Sequence, residues 1–167
     1  MLRLNEMRKK KFLLLVILCL LVWTEGFSNQ SSNPLTGINE LGILIETLPN
    51  KVLEIGLTQD KLKHTTELKL SEGGIKIQDV TYFLSVPAVY VNINVVGNAC
   101  NISLEIREWV DLERGPSTEV RSLATTWSIS MLSIHGNDPE HVLSRLSKLL
   151  ERFILEYKEA NPKRDNL

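Results

Sequence analysis

Apolar and polar residues alternate along this chain in two distinct periods, and each change of period marks an element. From Ala88 to Val96 the period is two: Val89, Val91, Ile93 and Val95 fall on one side, and Tyr90, Asn92, Asn94 and Val96 on the other. That is the pattern of a strand with one buried face. Residues 101–109 repeat it, with Ile102, Leu104 and Ile106 opposite Ser103, Glu105, Arg107 and Trp109. Gly97-Asn98 between them reads as a tight turn, so an antiparallel hairpin is expected. Glu113-Arg114-Gly115-Pro116-Ser117 breaks the chain, and residues 120–134 then alternate again. There Thr125, Trp127, Ile129 and Met131 are expected on one side, and Thr126, Ser128 and Ser130 on the other. A short apolar run over residues 41–45 and the alternating Ile75-Lys76-Ile77 read as further strands.

Two stretches carry the helical period instead. Thr58 can cap a helix whose first turn holds Gln59 and Asp60, with Leu62, Thr66 and Leu70 on one face and Gly73-Gly74 as its stop. Near the C-terminus, Asp138 stands as N-cap, Pro139 at the first helical position and Glu140 behind it. Val142, Leu143, Leu146, Leu149, Leu150, Phe153, Ile154 and Tyr157 then form one apolar stripe, and Pro162 ends the run. The expected fold is α+β, in the order β-α-β-β-β-β-α: a mostly antiparallel sheet with both helices on one face.

The first residues follow another pattern. Arg8-Lys9-Lys10-Lys11 precede an unbroken apolar run over residues 12–23, and small and polar residues come after it. Twelve apolar residues are short for a span, which needs roughly 20. The order of charged head, apolar middle and polar exit is that of a secretory signal peptide. Cleavage before Phe27 or after Ser28 fits the small residues there, and an uncleaved anchor is the alternative. Cys19 lies inside the apolar run behind Leu18, a poor context for lipidation. The expected organisation is a signal peptide over residues 1–26, a flexible lead-in over 27–38, a single domain over 39–162 and a tail over 163–167.

Charge narrows the function. Of 19 basic and 20 acidic residues, five and two fall in the leader, which leaves 14 and 18 and a net charge of −4. A nucleic-acid binder would show a basic surplus, so no nucleic-acid partner is expected. With the leader removed, Cys100 is the one remaining cysteine, and no internal disulfide can form.

Catalytic chemistry has little to stand on. His64, His135 and His141 do not share the spacing of a helical metal site. No G-x-S-x-G element occurs, and Gly73-Gly74 precedes a strand, the reverse of a phosphate-binding turn. Glu105, Glu108, Asp111 and Glu113 cluster around Trp109 and are the candidates for acid/base work in a hydrolase. Glu105 and Arg107 share a strand face, however, which is an ordinary charge pattern. No catalytic, cofactor or metal residue is therefore assigned. Trp109 falls on the polar side of its strand and, with Asn92 and Asn94, is a candidate partner contact. The triplets Asn29-Gln30-Ser31 and Asn101-Ile102-Ser103 match a glycosylation acceptor.

Gly56-Leu57-Thr58-Gln59-Asp60-Lys61-Leu62, Glu67-Leu68-Lys69-Leu70 running into Gly74-Ile75, Tyr90-Val91-Asn92-Ile93-Asn94-Val95, Thr126-Trp127-Ser128 and the closing Tyr157-Lys158-Glu159-Ala160-Asn161-Pro162 span most of residues 40–162. On these segments the chain resembles a family of small exported bacterial α/β proteins with no assigned activity. The resemblance carries over no catalytic residue. It implies an accessory domain of the bacterial envelope. The function expected is a non-enzymatic, exported binding or assembly-accessory domain of the periplasm or cell envelope, without cofactor. It would meet an envelope protein or small ligand, and the membrane only transiently through the signal peptide. The alternatives are a hydrolase with loop-borne carboxylates and a self-associating structural protein.

Overall fold

The computed structural model describes residues 33–79, 85–113 and 119–162. The signal peptide with Cys19, the first glycosylation triplet, the 114–118 break and the 163–167 tail lie outside them. Eight elements follow in order: β1 (Glu40–Ile45), α1 (Asn50–Glu54), α2 (Gln59–Glu72), β2 (Lys76–Ile77), β3 (Ala88–Val96), β4 (Ala99–Glu113), β5 (Glu119–Ile134) and α3 (Pro139–Ala160). The fold is α+β, with one five-stranded sheet in the order β2-β1-β3-β4-β5.

The sheet is mixed, which corrects the expectation of a mostly antiparallel one. β1 runs parallel to both β2 and β3, and only the β3-β4 and β4-β5 pairs are antiparallel. The reason is visible in β1 itself. Leu41, Gly42 and Ile43 are all buried and Leu44 and Ile45 half-buried, an unbroken apolar run of the kind parallel strands carry rather than the alternation of a strand with one solvated face. The connection from β1 to β2 carries two helices and not one: α1 is a single turn entered through Pro49, and it buries Val52.

Register places the apolar halves of the strands in rows. Ile43, Val89, Ile106 and Trp127 form one row, and Ile45, Val91, Leu104 and Ile129 the next. On this face α2 packs over β1 and β2, α3 over β4 and β5, and the two helices pack on each other. Both caps form as expected: Thr58 Oγ1 accepts from the Lys61 N–H at 3.2 Å, and Asp138 Oδ1 from the Glu140 N–H at 3.0 Å. Of the α3 stripe, Val142, Leu146, Leu149, Leu150, Phe153 and Ile154 are buried, and Leu143 and Tyr157 lie at the margin.

The end of α3 also holds the chain that enters β1. Tyr157 Oη donates to the Ile38 carbonyl at 2.6 Å; Asn161 Nδ2 donates to the Leu35 carbonyl, and Asn161 Oδ1 accepts from the Gly37 N–H, both at 2.7 Å. Leu35 and Ile38, within the segment read as a lead-in, are thereby drawn into the core.

Thr125 and Thr126 depart from the expected alternation. A bulge between the pairs Ile106/Trp127 and Arg107/Thr125 inserts Thr126, which shifts the remainder of β5 by one residue. Thr125 therefore lies on the uncovered face, where it donates to Glu105, while Thr126 donates to Glu108 on the opposite side.

Gly73 is a point of close approach. Its φ is unexceptional, but a Cβ there would stand 2.9 Å from Cγ2 of buried Ile154. Gly73→Ala is expected to destabilise the fold by about 1–3 kcal/mol, the usual cost of overpacking. In urea titrations Gly73→Ala should cost less in an Ile154→Ala background, which lacks the γ and δ carbons that the new Cβ would meet. A Gly73→Ala protein as stable as wild type would show that α2 and α3 are not in contact here.

Candidate functional site

The covered face of the sheet is filled by helices, and the other face is open among the described residues. Its rows are read from the same register. Leu44, Tyr90, Glu105 and Ser128 lie side by side; Asn92, Ser103 and Ser130 form the next row, then Asn94, Asn101 and Leu132. Past Glu105, β4 extends the face through Arg107, opposite Thr125, and Trp109, opposite Leu123.

Two hydrogen-bonded groups organise this face. In the first, Asn94 Nδ2 donates to Asn92 Oδ1 at 2.6 Å, and Asn92 Nδ2 donates to Glu46 Oε2, just beyond β1. In the second, the Arg107 guanidinium carbon lies 3.4 Å from the centroid of the Tyr90 ring, a stacked cation–π contact. Arg107 Nε and Nη2 both reach Glu105 Oε2 at 3.0 Å, and Thr125 Oγ1 donates to the same oxygen at 3.0 Å. Residues two apart on one strand share a face, which is why Glu105 and Arg107 meet without help from a second strand. The pair is partly exposed, so its contribution to stability is small, and its chief effect is to hold the guanidinium flat over the ring.

Tyr90 joins the groups electrostatically. Desolvation raises its pKa first, and the hydrogen bond and charge of Glu46 raise it further, while the charge of Arg107 works in the opposite direction.

The three candidate contact residues fall on this open face, at different places. Asn92 and Asn94 are bonded neighbours near its middle. Trp109 stands apart on the β4-β5 ribbon, 39% exposed, with the Arg121 guanidinium 5.8 Å from its ring centroid. Glu46, Tyr90, Arg107 and Thr125 were not singled out from sequence. Tyr90 and Arg107 carried a signal, as an aromatic and a cation on the polar sides of adjacent strands. Glu46 and Thr125 carried none, since one depends on the β1-β3 pairing and the other on the bulge.

The acidic cluster is divided by the sheet. Glu105 is on the open face, bonded to Arg107 and Thr125, and Glu108 is on the other side, accepting from Thr126 Oγ1 at 2.6 Å. Glu113 falls at the strand end, where its side chain is outside the described residues. The histidines are likewise dispersed. His135 is buried, bonded through Nε2 to the Gly97 carbonyl at 2.9 Å and through Nδ1 to the Asn137 N–H at 3.0 Å, which pins the β3-β4 turn to the start of α3. His141 meets Ser133 and Arg145, and His64 is exposed on α2. Among the described residues no three His, Cys, Asp or Glu side chains gather as metal ligands, and no helix is long and apolar enough to cross a membrane.

No family model matches the chain, and no curated protein matches it in sequence.

Two measurements follow from this geometry. Glu46→Gln should lower the Tyr90 pKa and Arg107→Ala should raise it, read by NMR of ring-labelled tyrosine across an alkaline titration; shifts in the same direction would contradict the arrangement. Because the folded value is raised, the stabilisation by Tyr90 is complete below its ordinary value of 10.0 and is lost as pH climbs through the folded pKa. The second concerns Cys100, fully buried between β3 and β5, where burial pushes the thiol pKa up. Iodoacetamide at pH 8 should leave Cys100 unmodified in the folded chain and alkylate it in urea, as read by peptide mass spectrometry. Equal labelling in both states would contradict its burial.

Proposed function

We propose that this chain is a non-enzymatic binding or assembly-accessory domain, exported to the bacterial periplasm or cell envelope, and that the open sheet face is its contact surface. One observation carries the reading: the face lacking helices displays an ordered set of polar and aromatic groups. Such a set is suited to recognition. Arg107 is held flat on Tyr90 and oriented by Glu105, so it offers directed N–H donors at little further entropic cost. Asn92 and Asn94 add amide groups beside it, and Trp109 adds a large apolar surface with a cation nearby. The partner these groups suit is an envelope protein or a small ligand with acceptor oxygens and an apolar portion. Export rests on the order of charge and hydrophobicity in residues 1–26. The resemblance to small exported bacterial proteins agrees with both parts of this reading. The hydrolase alternative is weakened by the strand alternation that sets Glu105 and Glu108 on opposite faces.

Capture from envelope extracts, with wild type beside Trp109→Ala and Arg107→Ala, tests the surface. The expected result is a reproducible partner retained by wild type and lost, or recovered at under about a tenth of the yield, with either variant. No reproducible partner, or equal recovery by all three proteins, would overturn the assignment. Mass spectrometry of the N-terminus tests the address: an intact leader on protein recovered from the cytosol would refute export.

A further inference from the structure

Among the described residues, no strand pairs with the outer edge of β5. β5 is the last strand in the sheet order, and it is long, running over Glu119–Ile134. Proteins ordinarily blunt such an edge with lysine, proline, a short strand or a covering loop. Here residues 122–134 contain no charged residue and no proline, and past the bulge at Thr126 the last eight residues of the strand hold an unbroken register.

The hydrogen-bond phase shows which groups are free. The two-residue turn Gly97-Asn98 closes the Val96-Ala99 pair, so odd-numbered residues of β4 bond to β3 and even-numbered ones to β5. The His135 N–H donating to the Asn98 carbonyl at 2.9 Å continues that series, with odd residues on the β5 side turned toward β4. The backbone groups of Ser128, Ser130, Leu132 and Ile134 consequently point away from the sheet. Their side chains lie on the open face, where Leu132 and Ile134 are 76% and 70% exposed.

The other side of this edge is cationic. Ser133 Oγ lies 3.2 Å from His141 Nε2, which accepts from Arg145 Nε, and Trp127 Nε1 donates to Glu156 at 2.9 Å. These contacts set the 141–145–148–152–156 line of α3 along β5. The line holds Arg145, Lys148 and Arg152 against one carboxylate, Glu156, which is already bonded to Arg152 at 3.1 Å and to Trp127. A two-fold pairing of β5 with a second copy would bring this line toward its own counterpart, like charge to like charge. An extended acidic segment meets no such repulsion.

We propose that the β5 edge takes up an extended, acidic segment of a partner protein as a sixth strand. Its backbone bonds to Ser128, Ser130, Leu132 and Ile134. Its carboxylates, on every second residue, face Arg145, Lys148 and Arg152, and its intervening apolar side chains lie beside Leu132 and Ile134. This rests on the reading of the chain as a binding domain and names a second surface for it, distinct from the Tyr90-Arg107 face.

The test uses the full chain in nonionic detergent and a fluorescent ten-residue peptide of alternating valine and glutamate, with the valine-lysine peptide as comparison. Anisotropy should show saturable binding of the acidic peptide and at least about tenfold weaker binding of the basic one, with the difference shrinking in high salt. Ser130→Pro removes an outward N–H that no described strand uses, and exposed Lys148→Glu reverses the flanking charge without touching the core; each should weaken binding about tenfold or more. Arg107→Ala should bind as wild type does, which separates this proposal from the open-face assignment. Equal binding of both peptides would overturn it, as would wild-type affinity in Lys148→Glu. Concentration-dependent dimers that Ser130→Pro abolishes and Lys148→Glu strengthens would overturn it too, in favour of a second copy at the edge.

Discussion

The apolar stripe of α3 must be buried, and the covered face of the sheet is where this chain buries it. Phe153 sits at the centre of that contact: its ring centroid lies 5.0 Å from that of Trp127 on β5 and 6.1 Å from that of Tyr157 one turn further along the helix. Because α3 lies over β4 and β5 and α2 over β1 and β2, the mutual packing of the helices fixes which face of the whole sheet is dry. Every strand then has one set of alternate side chains committed to the core, and a one-residue slip would turn that set into water. The close approach at Gly73 and the bonds from Tyr157 and Asn161 to residues 35–38 are consequences of the same placement.

Covering one face with helices leaves the other to polar chemistry. On the open side β3 and β4 carry asparagine, serine, tyrosine, glutamate and arginine where the opposite side carries valine, isoleucine and leucine. These polar groups bond to one another: Glu105 holds Arg107, Arg107 lies on Tyr90, and Glu46 accepts from Asn92. Such mutual bonding holds the side chains of the face in place. Its two ends differ in character, with Val96, Leu132 and Ile134 exposed at one and Trp109, Leu123 and Arg121 at the other. The edge strand, which joins an apolar patch to the cationic flank of α3, is a surface of a different kind on the same molecule.

Elements whose period is set by a single buried face were legible from sequence. The α3 stripe, both N-caps, the β3-β4 hairpin and the Leu62-Thr66-Leu70 face of α2 all stand where local pattern placed them. The α1 turn was not legible, because five residues are too few to display a helical period. The parallel pairing of β1 was also missed, although its unbroken apolar run was the available sign of it. The assignment of Thr125 and Thr126 failed for a third reason: alternation assumes an uninterrupted ladder, and the bulge adds a residue to one strand only.

Local chemistry in the sequence by itself thus determined where the two longer helices and the strands lie and which side of α2, α3, β3 and β4 is apolar, because those properties depend on neighbours within a few residues. It also placed Asn92, Asn94 and Trp109 on the polar side of their strands. Only the tertiary structure decided the strand order, the direction of β1 and the register at the bulge, since these depend on contacts between residues far apart in the chain. For the same reason only the fold could bring Glu46 to Asn92, set Thr125 on Glu105, split Glu105 from Glu108, and leave the edge of β5 open beside the basic flank of α3.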